Sequence, residues 1–183
     1  MKKLLLLFAI FSVTIFYSQN SEPYSFSEVV KVNDSTKSAK ELYSNAKIWF
    51  ANTFKDPKEV IVLDDTTNNI LIGRGNMRYS SQIFSGSAGR AGWITFDTQI
   101  ACKNGRYKYT FSNFVHEGHS INLGLVTNDP FLPTMKGFVS GGPENYKIKV
   151  TNEIRDKIRV KTEALISSLK ETMSKNIATK EDW

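Results

Sequence analysis

The chain is poor in the residues that most often announce a chemistry. It has one cysteine, Cys102, so an intrachain disulfide is impossible. It has two histidines, His116 and His119, and they are crowded into one short stretch. It contains no nucleophile elbow, no P-loop and no cysteine–histidine pair. Neither sign of charge dominates: 24 Lys and Arg face 18 Asp and Glu, a formal net charge of +6. Such a balance favours solubility and weak affinity for anionic surfaces, and argues little for nucleic acid. There is no internal repeat, and no composition shift that marks a second domain.

One apolar run stands out. Met1-Lys2-Lys3 precedes a stretch from Leu4 to Tyr17, shorter than the ~20 residues that span a bilayer. Two lysines before a short apolar core are the layout of a secretory signal peptide. The expectation is a leader over residues 1–19, cleaved near 18–20, and an exported protein, periplasmic or secreted, with no transmembrane helix in its mature form. Loss of Lys2 and Lys3 would lower the net charge from +6 to +4. The remaining length suits one domain with a real core, over 20–173.

Trp93 to His116 reads as a β-hairpin folded about Asn104-Gly105, because Asn-Gly supplies the two positive-φ residues of a tight turn. Pairing Lys103 with Arg106 fixes the register. Cys102, Ile100, Thr98, Phe96 and Ile94 then face Tyr107, Tyr109, Phe111, Asn113 and Val115 on a core face. The other face pairs Ala101 with Lys108, Gln99 with Thr110, Asp97 with Ser112, Thr95 with Phe114 and Trp93 with His116. It is polar near the turn and aromatic at the far end. Cys102 falls on the core face, where a thiol behaves as a small hydrophobe.

Elsewhere, Tyr24 to Val32 alternates as a first strand. Ser38-Ala39-Lys40-Glu41 has capping-box spacing ahead of an apolar stripe from Ala39 to Phe54, in which Trp49 and Phe50 are core residues. Asp56-Pro57 ends this helix. Val60–Leu63 and Ile70–Tyr79 read as strands around a polar turn at 64–69. The glycines of Gly73-Arg74-Gly75 could admit a phosphate beside Arg74 and Arg78, but more often mark a bulge or a close packing contact. Ser80 to Gly92 reads as a flexible connection. Residues 117–145 form a long loop rich in apolar side chains, either structural cover or a binding lid. A last helix begins at or before Thr151, with Ile154, Ile158, Leu165, Leu169 and Met173 in one stripe and Arg155, Lys157, Arg159 and Lys161 on a solvated face. Residues 174–183 read as a frayed polar tail.

Candidate chemistry is thin. His116-Glu117-Gly118-His119 lacks the helical spacing of a zinc protease, and Trp93 opposite His116 offers no ligand, so no metal site is expected. Asp64-Asp65 sits in a turn and points to opposite faces. No catalytic residue and no cofactor is expected.

The order strand, helix, four strands, long helix implies an α+β two-layer domain, an antiparallel sheet with helices on one face. Phe26-Ser-Glu-Val-Val30, Lys40-Glu-Leu-Tyr43 with Ala46-Lys-Ile-Trp-Phe50, Ile70-Leu-Ile-Gly-Arg-Gly75 and Gly105-Arg-Tyr-Lys-Tyr-Thr-Phe111 appear in that order. On these stretches the chain resembles an uncharacterised exported domain family of Bacteroidota with a TATA-box-binding-protein-like fold. The resemblance implies export, one domain and a β-α-β-β-β-β-α layout. It implies no activity, and the segment from His119 to Pro143 matches nothing in it. A minor-groove saddle would need basic side chains on the open sheet. That face carries Asp97 and Gln99 as well as Lys108, so nucleic acid is not expected.

Two functions remain open. One is a non-catalytic binding or interaction domain using the aromatic end of the outer face, with Trp93, Thr95, Phe114 and His116 as candidate binding residues for an envelope protein, peptide or glycan. The alternative is a helix-grip-like carrier of a small apolar ligand between sheet and long helix, which needs a cavity where Trp49, Phe50, Tyr107, Tyr109 and Phe111 are large enough to fill the space.

Overall fold

The structure, a computed structural model, describes residues 21–136 and 142–175. The expected leader and residues 176–183 of the expected tail lie outside the described residues, as do residues 137–141 of the long loop. The elements are β1 (Phe26–Lys31), α1 (Ala39–Thr53), α2 (Pro57–Val60), β2 (Ile61–Asp65), β3 (Ile70–Tyr79), α3 (Ser87–Arg90), β4 (Gly92–Lys103), β5 (Arg106–Gly118), β6 (Gly124–Leu125), a 3-10 turn (Pro133–Met135) and α4 (Glu144–Ser174). Beyond the expected order there are two short helices and a sixth strand.

The sheet is antiparallel, in the order β1-β5-β4-β3-β2, with β6 also paired to β5. α1 packs on β3, β4 and β5 and against α4. It starts where the sequence says it should: the Ser38 side chain accepts from the Glu41 N–H, and Glu41 accepts from the Ser38 N–H, a complete capping box. Asp56 caps α2, whose first residue is Pro57, so this pair opens a second short helix as well as following the first.

The core between helices and sheet is aromatic. Trp49, Phe50, Phe96, Phe111 and Phe114 are buried, and their rings meet at 5.1–6.3 Å, edge to face where Trp49 is involved and tilted or stacked among Phe96, Phe111 and Phe114. The Trp49 indole N–H donates to Ser168 Oγ at 2.9 Å, tying α1 to α4. Burying each such ring contributes about 1.5–3 kcal/mol. Gly73 and Gly75 make room for this layer. A Cβ on Gly73 would lie 2.3 Å from Phe50 Cε1, and one on Gly75 would lie 2.7 Å from both Phe54 Cε1 and Phe96 Cζ. The Gly-Arg-Gly stretch is therefore a packing site.

The C-terminal end of α4 is pinned. Buried Lys37 donates to the Ser174 and Lys175 carbonyls, each at 2.8 Å, and Asn45 Nδ2 donates to the Lys175 carbonyl at 3.0 Å. A cation at free helix carbonyls also opposes the helix dipole. Ser174 and Lys175, expected to begin a frayed tail, are thus held by hydrogen bonds from α1 and the turn before it. Arg155, expected on a solvated face, instead donates to the Thr127 and Asp129 carbonyls and lies over the Tyr24 ring.

Candidate functional site

The hairpin register holds from the Asn104-Gly105 turn to Asp97↔Ser112, and then shifts by one. Phe96 is opposed by two residues, Asn113 and Phe114, and beyond this bulge the pairs are Thr95↔Val115, Ile94↔His116 and Trp93↔Glu117. Asn113 has φ 56, the left-handed region that asparagine tolerates better than most residues. Its Nδ2 donates to Asp97 Oδ2 at 2.8 Å. The extra residue reverses the parity of the strand.

This corrects the expected site. Phe114 and His116 are turned into the core and both are 0% exposed, whereas Trp93 stays on the outer face at 51%. Thr95 remains on the outer face, half-buried, opposite Val115. The four residues therefore do not form one patch. The loop that follows covers the core around Phe114 and His116: Leu123, Val126, Leu132 and Met135 are buried, and Val126 N–H donates to the Phe114 carbonyl at 2.8 Å. In its described part, then, the 117–145 segment is structural cover.

His116 is built into the frame. Its Nδ1 accepts from the Leu123 N–H at 3.0 Å, which leaves Nε2 to donate to the Arg90 carbonyl at 2.8 Å. The Tyr79 ring meets it edge-on at 4.8 Å. Burial lowers its pKa below the usual histidine value, and the Arg90 charge adds to this. With both ring nitrogens engaged and no exposed surface, it is held as a neutral structural imidazole.

Arg90 is the residue the sequence reading missed. It lies in the Ser/Gly/Ala-rich stretch expected to be flexible, yet it is 1% exposed. Nη1 donates to the Ser85 carbonyl at 2.7 Å and to the Tyr146 hydroxyl; Nη2 donates to Ser81 Oγ at 2.9 Å and to the Ile83 carbonyl at 2.8 Å. The guanidinium thus gathers the whole 81–86 loop around itself and docks it on α4. Ser81 passes the connection on, donating to Glu153 at 2.6 Å; Glu153 also accepts from the Gln82 N–H and from the Tyr79 hydroxyl. Burial pushes the Glu153 carboxyl up, but the bonds from Ser81, Gln82 and Tyr79 outweigh it and hold the pKa below the usual range. The signal available in sequence was a lone arginine among small residues immediately before a strand.

Glu153 also lines a cleft of about 920 Å³ between the end of β3, residues 80–83 and α4. Its walls carry Arg78, Lys149, Lys157 and Lys161, with Ile83 and Val160 as aliphatic surface. A second cleft, about 670 Å³, opens further back along β3 between Arg74, Asn76 and residues 53–60. Both exist because β2 pairs with β3 only as far as Gly73. From Arg74 to Tyr79, β3 has β4 on one side and, among the described residues, no strand on the other. The outer face beside this edge is uncovered: Arg78 is paired in register with the exposed Trp93, and Arg74 with Asp97 through an ion pair at 2.8 Å. Arg74, with Asn113, holds the Asp97 carboxyl below its usual pKa against the effect of partial burial.

The chemistry at the remaining candidate positions is settled by position. Cys102 is buried, and burial alone pushes its thiol up to about 12, the reverse of what a thiolate nucleophile needs. The space that a carrier would keep open is occupied by Trp49, Phe50, Phe96, Tyr107 and Phe111.

An antiparallel sheet with helices on one face and an open opposite face defines an α+β two-layer protein. The model of the family described as "Domain of unknown function (DUF4468) with TBP-like fold" matches residues 26–117, that is β1 through β5, and the chain belongs to this family. Among solved structures, it is similar to a DUF4468 family protein from Bacteroides ovatus, at TM-score 0.54 and 11% identity, with 86% of this chain and 90% of that one covered. It is also similar to a TBP-like protein from Parabacteroides distasonis, at TM-score 0.48 and 11% identity, covering 80% and 92%. No curated protein matches the chain. No helix among the described residues is long and apolar enough to cross a membrane.

Proposed function

We propose that the protein is an exported, non-catalytic interaction domain that engages a protein partner of the cell envelope or its surroundings through one rim of the sheet. The observation that carries this reading is the uncovered corner where the outer face meets the free edge of β3. There Trp93 stands half exposed, at 51%, beside Arg78, which borders the large cleft under α4. Tryptophan and arginine are both enriched among the residues that anchor protein interfaces. Two groups that could have suggested catalysis, His116 and Glu153, have their hydrogen-bonding capacity spent on the loops they hold. Export rests on the leader-like residues 1–19. Nucleic acid is disfavoured by the mixed outer face, where Asp97 neutralises Arg74.

Capture experiments test the reading. The immobilised protein is compared with Trp93→Ala, whose melting temperature should be unchanged because the indole is on the surface. A partner from envelope or medium extracts should be retained by the parent protein and lost by the variant. Equal retention by both removes this corner from the interaction.

A further inference from the structure

The interaction corner contains an unfinished sheet. Among the described residues, six consecutive residues of β3, Arg74–Tyr79, lack a strand neighbour on one side; six strand residues extend about 20 Å. In an antiparallel ladder alternate residues aim their N–H and C=O away from the existing partner, so about three residues of this stretch present both groups outward. Among the described residues, no backbone group of 74–79 bonds outside the ladder with β4. Exposed edges of this kind are ordinarily covered, bent or charged. This one is bordered by two clefts in succession, so a strand laid along it would find space on the α4 side.

The charges beside the edge choose the occupant. Arg78, Lys149, Lys157 and Lys161 line the larger cleft, and none of them has a carboxylate at ion-pair distance among the described residues. Two carboxylates share these walls: Glu153, which accepts from Ser81, Gln82 and Tyr79 and also faces the charge of Lys157, and Asp156, which pairs with Arg159 at 3.1 Å. Four cations against two carboxylates leave the cleft with a formal excess of positive charge. A second copy of this chain pairing edge to edge would bring two such sets of cations together, which is unfavourable. An acidic segment would relieve them.

We propose, building on the interaction-domain reading, that β3 accepts an acidic, extended polypeptide segment of a partner protein as an added strand along Arg74–Tyr79. Side chains of one parity lie under α4 against Lys149, Lys157 and Lys161, and those of the other parity lie on the outer face near Arg78. Backbone pairing supplies the register, and the cations of the larger cleft supply the preference for Asp and Glu at the positions beside it, whereas the smaller cleft, with Lys55, Asp56 and Glu59 on its walls, adds none.

The test uses the purified chain and a fluorescent ten-residue peptide of alternating valine and glutamate, with the valine–lysine peptide of equal length as comparison. Binding is read by anisotropy, and backbone amide exchange of residues 74–79 is measured with and without peptide. The expected result is binding of the glutamate peptide only, with slowed exchange confined to the outward amides of 74–79. The double charge reversal Lys157→Glu with Lys161→Glu, both on the helix surface, should weaken binding roughly tenfold or more. Equal binding of the lysine peptide, slowed exchange elsewhere, or indifference to the charge reversal would overturn the proposal. So would protection of 74–79 that rises with protein concentration in the absence of peptide, which would make a second copy the occupant. An oligothymidylate that competes equally and gives the same protection would also overturn it, because a generic polyanion would then suffice. Binding of neither peptide would overturn the added-strand proposal as well, while leaving the capture experiment on Trp93→Ala unaffected, so the two readings fail separately.

Discussion

Replacing Asn113 by valine would force a β-branched side chain to φ 56 in the middle of β5 and remove the bond to Asp97. Strain of about 1–2 kcal/mol is expected from the backbone alone, whereas Asn113→Gly loses the same bond without the strain and should cost less; urea denaturation of the two variants checks this. The size of the effect matters because this one residue decides which ring faces the core. Gly73→Ala is expected to cost about 1–3 kcal/mol by overpacking, since the new Cβ meets the Phe50 ring, and the urea midpoint should fall accordingly. His116 supplies a pH signature. Burial, first, and the Arg90 charge lower its folded pKa, so the unfolded chain takes up the proton more readily once pH falls below about 6.5. Its neutral form therefore supports the fold fully above that value, and stability declines as pH drops from there toward the folded pKa. The urea midpoint should decrease between about pH 7.5 and about pH 5.5, and this dependence should flatten in His116→Gln.

At the scale of elements, the hairpin turn, the capped α1 and the strand Ile70–Tyr79 were legible because local chemistry decides them. Asn-Gly makes its own turn, Ser38 and Glu41 close their own box, and the polar turn at 64–69 sets off the start of β3. The far end of the hairpin was not legible by counting outward from the turn, because a bulge changes the count. The sequence does carry a trace of it. Tyr107, Tyr109 and Phe111 share one parity, Phe114 and His116 the other, and the switch falls on an asparagine. Half of the expected site, Phe114 and His116, was therefore placed on the wrong face, while Trp93 and Thr95 stayed outside. The 80–92 loop was misread for a different reason. Its order comes from Arg90, Tyr146 and Glu153, which are distant in sequence, so no local pattern announces it. Lys37 and Asn45 at the end of α4 are the same kind of contact. Lys37→Met should cost about 1–2 kcal/mol, because it strips a charged donor from the part-buried carbonyls at the end of α4. Faster amide exchange in the last turn of α4 would accompany the loss.

For the whole molecule, the division of labour is between a closed face and an open one. The helices, the loop after β5 and the buried Arg90 and His116 finish one side of the sheet completely. The outer face and the second half of β3 are left unfinished at one corner, with Trp93, Arg78 and the clefts gathered there. In the proposed reading this open corner is where a partner protein completes the sheet. Site-specific photo-cross-linking in the living host tests that most directly. A photoreactive residue in place of Arg78 should yield a discrete adduct of higher mass, while the same residue in place of Glu171, exposed on the far end of α4, should yield none. Identical patterns from the two positions, or no adduct from position 78, would contradict the account.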